Sequence, residues 1–165
     1  MCTVKTIRHS PGFAGGRNRH TEEGETMSEF DKNTTCLAGE FLTVGKLCKR
    51  GLQATVTLGN AKAIDILARN PENGKEYSVQ VKTHREKEKF ILPEQDIEGD
   101  HIFVFVVLNK FEDKEDFFIV KGSEILNNVN DFYGPDYKSE NPPKVSAIHW
   151  KSLEKYKDHW EAFAQ

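Results

Sequence analysis

One stretch constrains what this chain can fold into more than any other. "HIFVFVVLN", apolar from residue 102 almost to residue 109, is a near-continuous hydrophobic run. A strand with one wet face alternates apolar and polar residues, so a run without alternation belongs to a strand covered on both faces. The run is far too short to span a membrane, and no other apolar run approaches that length. The neighbours of this strand must therefore form a sheet with layers on both sides.

Those neighbours are legible in outline. A helix is expected over residues 35–50, with Thr34 or Thr35 as its cap and Gly51 as its stop. Leu37, Phe41, Val44 and Cys48 recur at helical spacing and are expected to form its buried stripe, with Glu40 beside that stripe. Lys46, Lys49 and Arg50 fall where the helix dipole favours cations. Three strands follow: "LQATVTL", ending at the Gly59-Asn60 turn, then "AIDILAR" and "EYSVQVKT". Beyond the charged "HREKEKF" and the apolar run come a strand "DFFIVK" and a short Ser-capped helix "GSEILNNV". A loop "NDFYGPDYKSENPP", a short strand "SAIHW" and a terminal helix over residues 153–163 complete the chain. The terminal aromatics Trp150, Tyr156, Trp160 and Phe163 are expected to dock that helix on the core. A helix, then strands, then mixed elements predict an α/β or α+β domain with a mixed sheet.

With 165 residues the chain suits one such domain, preceded by a disordered N-terminal segment, 1–33. Met27 opens a more protein-like passage and is a candidate true start. "GFAGGRN" lacks the GK[ST] ending and the preceding strand of a phosphate loop. The formal net charge is −3, so any nucleic-acid binding must come from a local basic patch. Three cysteines with no CxxC pair argue against a disulfide framework, and a reducing, cytoplasmic setting is expected. Six scattered histidines form no HExxH, which leaves zinc chemistry without support.

The second and third strands carry polar residues that a half-buried strand must place on its outer face. They flank the turn of residues 70–75, centred between Glu72 and Asn73. Antiparallel pairing about that centre sets Asp65 opposite Gln80, with Lys82 two residues on and on the same face. Ile64, Ile66, Val79 and Val81 fall on the other face as an apolar set. A register slip of one residue would undo this convergence. A carboxylate, an amide oxygen and a lysine on one face suit metal-assisted hydrolysis. Hard oxygens hold Mg²⁺ or Mn²⁺, and the lysine orients a water.

At this point "GE" in the first helix, "ID" in the second strand and "QVK" in the third resemble the PD-(D/E)XK nuclease superfamily. Within it the chain looks closest to small bacterial nuclease-like proteins of unknown function. The resemblance spans roughly residues 38–109. It implies a restriction-endonuclease-like αβββαβ core, with a mixed central sheet flanked by helices over residues 34–165. It also implies a site of Glu40, Asp65, Gln80 and Lys82, the first three holding Mg²⁺ or Mn²⁺. The pattern places a second helix within residues 87–100, where Pro93 and Gly99 would shorten it. Ile64 stands where the family has proline. Gln80 stands where it has an acid, which keeps a carbonyl ligand and loses a charge.

The expected activity is metal-dependent hydrolysis of phosphodiester bonds, with DNA as partner. Lys62, His84, Arg85 and Lys87 are candidate phosphate contacts, although a charged segment of this kind is more often a solvated face. The alternative expectation is a catalytically inactive nuclease-fold module that binds nucleic acid or a protein partner. A third is an accessory subunit whose channel is completed by a partner or, in a homodimer, by a second copy. No membrane association is expected.

Overall fold

The apolar run forms the strand it predicts. The computed structural model describes residues 32–57, 64–110, 113–140 and 143–164, and within them Ile102–Val107 is β5, buried at every position. The segment up to residue 31, with Met27, lies outside the described residues, whereas Lys32 and Asn33 open the first helix. In chain order the elements are α1 (Lys32–Lys49), β1 (Gln53–Val56), β2 (Ile66–Arg69), β3 (Glu76–His84), β4 (Lys89–Ile91), β5 and β6 (Asp116–Lys121). After these come α2 (Gly122–Asn127), α3 (Val129–Tyr133) and β7 (Ala147–His149).

The central sheet has the order β1-β2-β3-β5-β6. β3 and β5 run parallel while the other neighbours are antiparallel, which makes the sheet mixed. Side chains of β5 alternate between two cores. Val104 and Val106 join Ile66, Val79, Val81 and Leu47 beneath α1. Phe103, Phe105 and Val107 join Phe90, Leu92, Phe132, Ile148 and Leu153 beneath the β4–β7 pair and α3. Each such side chain contributes roughly 1.5–3 kcal/mol when fully buried. That burial holds two layers on one sheet.

Four local expectations change. A parallel pair needs a crossover, and the connection from β3 to β5 carries no α-helix. It consists of β4, paired with β7, and one 3-10 turn at Glu94–Asp96. Pro93 stands ahead of that turn in extended backbone, so the chain turns once and is then released. The terminal helix is replaced by 3-10 turns at Trp150–Tyr156 and Trp160–Phe163. Between them Asp158 takes a φ of 53° and its N–H bonds Phe117 O at 2.8 Å, so the chain follows the outer edge of β6. Tyr156, Trp160 and Phe163 are buried as expected, and that edge is covered. Ser123 lies inside α2 rather than capping it; the residue ahead of the helix is Lys121, which makes no side-chain cap.

The fourth change concerns α1. Its buried residues are Gly39, Thr43 and Leu47, not the expected stripe. Leu37 and Phe41 are exposed, at 46% and 63%, and so is Cys48; Val44 alone packs partly against the core. Small residues face the sheet because the helix comes very close to it. A methyl group added at Gly39 would lie 2.9 Å from both Cβ and Cγ2 of Thr83 in β3, and closer still to Oγ1.

Candidate active site

The hairpin takes the register that its turn predicts. Ile66 pairs with Val79, Leu67 with Ser78, Ala68 with Tyr77 and Arg69 with Glu76. Asn70 and Asn73 build the turn, their Oδ1 atoms accepting the N–H groups of Glu72 and Lys75 at 2.9 Å. Gly74 supplies the positive φ, 73°, that closes it. The paired register ends at Ile66–Val79, and Asp65, the next residue, bonds that same Val79 rather than Gln80; Gln80 and Lys82 share one face of β3. That face is shared with Phe103 and Phe105, the partners of Gln80 and Lys82 in β5.

Asp65 does more than point outward. Its N–H bonds Val79 O at 2.9 Å, and its Oδ2 accepts the Val81 N–H at 2.7 Å. A carboxylate that takes a strand N–H lies close to the plane of the sheet, beside β3, rather than standing clear of one face. Its Oδ1 has no hydrogen bond among the described residues.

Gln80 is 4% exposed, and its Oε1 is buried without a hydrogen-bond partner. Native interiors seldom leave a carbonyl oxygen in that condition unless a water or ion completes it. Lys82 is half-buried and makes no hydrogen bond or ion pair with the described residues.

Glu40 comes from the opposite side. α1 packs on the face away from Gln80 and Lys82, yet the Glu40 carboxyl is raised above its ordinary value, first by burial and then by the Asp65 carboxylate. The two acids are therefore electrostatic neighbours. Gly39, the residue before Glu40, sets this approach. Glycine inside a helix costs about 1 kcal/mol against alanine, and here it admits the close contact with Thr83. Thr43, fully buried, bonds Gly39 O at 2.7 Å. Sequence reasoning missed Gly39 and Thr83; the signal available was a glycine in the middle of an otherwise ordinary helix.

The structure thus sets Gln80 and Lys82 on one face of β3 and the Asp65 carboxylate on the Val81 N–H between them, while the Asp65 charge acts on Glu40. Among the described residues no three His, Cys, Asp or Glu side chains converge on a point that could hold a metal ion. The donor set here is different: two carboxylates and one orphaned amide oxygen. Oxygen-only donors are the kind that hard divalent cations take, so these residues fit Mg²⁺ or Mn²⁺.

The expected phosphate contacts fare unevenly. Lys62 lies outside the described residues. His84 stacks on Phe90, ring centroids 4.8 Å apart, and burial pushes its imidazole down despite Glu88 at 3.8 Å. Arg85 Nε donates to Thr35 Oγ1 at 3.2 Å. Lys87 lies 3.5 Å from Asp116 Oδ2 and 4.6 Å from the Trp150 ring centre, so its charge is already in use. These three line an open cleft of about 790 Å³ between the start of α1, the end of β3 and the β5–β6 connection, where Lys32 and Lys110 add further positive charge.

A helix beside three antiparallel strands, followed by a parallel strand across a short crossover, makes this a restriction-endonuclease-like nuclease fold. The likeness extends to solved structures. The chain is similar to the bacterial homing endonuclease I-Ssp6803I, with a TM-score of 0.52 and 14% identity, over 81% of this chain and 91% of that one. It is also similar to the Holliday junction resolvase Hjc of Archaeoglobus fulgidus, with a TM-score of 0.46 and 13% identity, over 72% of this chain and 86% of that one. No family model and no curated protein matches. Among the described residues no helix is long and apolar enough to cross a membrane.

Proposed function

We propose that this chain is a divalent-metal-dependent nuclease that hydrolyses phosphodiester bonds, with DNA as its substrate. The observation that carries the reading is the buried, unpartnered Oε1 of Gln80 on the same face as Lys82, with the Asp65 carboxylate bonded to the Val81 N–H between them. The fold it shares with the homing endonuclease supports it.

Glu40 and Asp65, as carboxylates, and Gln80 through Oε1 would hold the cation. When bound, the cation supplies Lewis-acid polarisation of a phosphoryl oxygen and a water that deprotonates near neutral pH. Asp65 is held in place by the Val81 N–H, which leaves Oδ1 as its ligand atom. Lys82, a cation without an ion-pair partner among the described residues, orients the attacking water and offsets charge on the phosphoryl oxygens.

The test joins calorimetric Mn²⁺ titration with cleavage assays on several DNA forms. Saturable binding by the native protein, lost in Asp65→Ala, is expected. Lys82→Met should keep binding and lose cleavage by about 10²–10⁴-fold. Absence of cleavage of every DNA form in Mn²⁺ sinks the enzymatic reading. Gln80 in place of an acid favours a second reading, a nuclease fold retained for binding alone. Its signature is salt-dependent nucleic-acid binding that Lys82→Ala leaves unchanged, without cleavage.

A further inference from the structure

β3 carries the site toward its C-terminal end, through Gln80 and Lys82 to His84, where the strand stops. Thr83 and His84 already line the open cleft of about 790 Å³, so the cleft starts one residue past Lys82. Its cations differ in what holds them. Lys87 is engaged with Asp116 and the Trp150 ring. Arg85 is half-buried, and its Nε donates to the Thr35 hydroxyl at 3.2 Å. A hydroxyl orients a guanidinium without neutralising it. Lys32 and Lys110 are exposed and make no ion pair among the described residues. Against these cations stand Glu86, Glu88 and Asp113, all exposed. The cleft is therefore close to neutral overall, and it takes an anion through placed donors rather than through bulk charge.

We propose that this cleft seats the sugar-phosphate backbone of a DNA strand beside the bond that is cut. Arg85 is its fixed contact, with Lys32 on the α1 wall and Lys110 on the wall of the β5–β6 connection. The inference rests on the nuclease reading for the position of the cut, and on the cleft alone for the binding. Arg85 is three residues from Lys82, roughly 10 Å of extended backbone. One DNA strand presents a phosphate about every 3.4 Å of helix axis. The phosphate that Arg85 meets is therefore within about three of the scissile one. Contacts of this kind fix where a strand lies and read no base.

The experiment measures binding of the full chain to a labelled DNA of arbitrary sequence, single-stranded and duplex. EDTA prevents cutting, and salt is varied from about 50 to 200 mM. Lys32→Ala, Lys110→Ala and Arg85→Gln should each lower the slope of log K against log salt, by about 0.7 on the single strand or 0.9 on the duplex. Arg85→Lys keeps the charge and loses the Nε bond to Thr35, so it should keep the slope while affinity falls. The control is Lys49→Ala, exposed at the other end of α1 and about 25 Å from Lys32, which should change neither quantity. Both cleft lysines are exposed, so the test does not depend on whether an Arg85 variant folds. Unchanged slopes in the two lysine variants overturn the proposal, as does an equal loss in Lys49→Ala or a native protein that binds neither DNA form. An Arg85→Lys variant as tight as native removes Arg85 as the fixed contact. If the slopes fall as expected and no DNA form is cut in Mn²⁺, the cleft stands and the enzymatic reading falls. If DNA is cut in Mn²⁺ and the slopes do not move, the enzymatic reading stands and the cleft falls.

Discussion

Replacing Gln80 by methionine separates stability from function at one atom. Gln80 is 4% exposed, Oε1 has no partner, and its side chain makes no hydrogen bond with the described residues. A buried acceptor left unsatisfied costs about 1–3 kcal/mol. Methionine is unbranched and similar in length, and a volume-conserving exchange costs less than about 1.5 kcal/mol. The metal-free Met variant is therefore expected to be more stable than the native protein, by about 1 kcal/mol. In Mn²⁺ the order should invert. A ligand that binds only the folded state, at roughly a hundredfold its Kd, adds about 2.7 kcal/mol. The native protein gains that amount and the variant, lacking the oxygen, gains little of it. Urea unfolding in EDTA and again in Mn²⁺ gives both differences with one instrument. A Met variant less stable than native by more than about 1 kcal/mol in EDTA would show that Gln80 makes hydrogen bonds in solution. An equal gain from Mn²⁺ in both proteins would show that Oε1 is not a ligand.

Two further outcomes follow from the ionisable groups. Burial and Asp65 raise the Glu40 carboxyl above 4.5, so the metal-free folded state favours its protonated form, and this contribution to stability is lost as pH rises through the folded pKa. Mn²⁺ takes the carboxylate and reverses that slope; calorimetry should find affinity falling on acidification with a midpoint above 4.5, a step that Glu40→Gln removes. Asp116 behaves oppositely: burial pushes it up, but hydrogen bonds from Lys157 and Asn109 and the charges of Lys157 and Lys87 outweigh burial and hold it below 3.8. The stability it contributes is present above that value and lost as pH falls through the folded pKa. Asp116→Asn should cost about 1–2 kcal/mol at neutral pH, the figure being held down by partly exposed lysines, and should flatten the acid limb of the unfolding curve below about pH 4. An unchanged acid limb would remove Asp116 from that account.

The parts of this fold that sequence reasoning reached are those set by local chemistry. The period of two in a strand and the Asn70-to-Gly74 turn together determine which residues of β2 and β3 face each other, so the pairing of Ile66–Arg69 with Glu76–Val79 was legible in the sequence, whereas the departure at Asp65, whose N–H bonds Val79 O, was not. The double burial of β5 was legible for the same kind of reason. The crossover and the C-terminal turns were not. Both depend on what the chain docks against: β4 finds β7, far away in sequence, and residues 157–158 find the edge of β6. Propensity along a short segment carries no record of such partners.

The helix shows the limit most clearly, because the same misreading bears on the site. Periodicity assigned Leu37, Phe41, Val44 and Cys48 to the core since apolar residues usually lie inside. The sheet imposes a different demand at this place: Thr83 allows no side chain opposite it, and only Gly39 complies. Once Gly39 faces inward, the helical repeat turns Thr43 and Leu47 inward with it and sends Leu37 and Phe41 to solvent. Glu40, the next residue, then lies half-buried beside that inward stripe. An inward stripe through Leu37 and Phe41 would have rotated Gly39, and with it Glu40, out of these positions. The resemblance to nucleases pointed to Glu40, but the physical reason for its place is the steric contact one residue earlier. That contact joins residues 39 and 83, and no window of local sequence contains both.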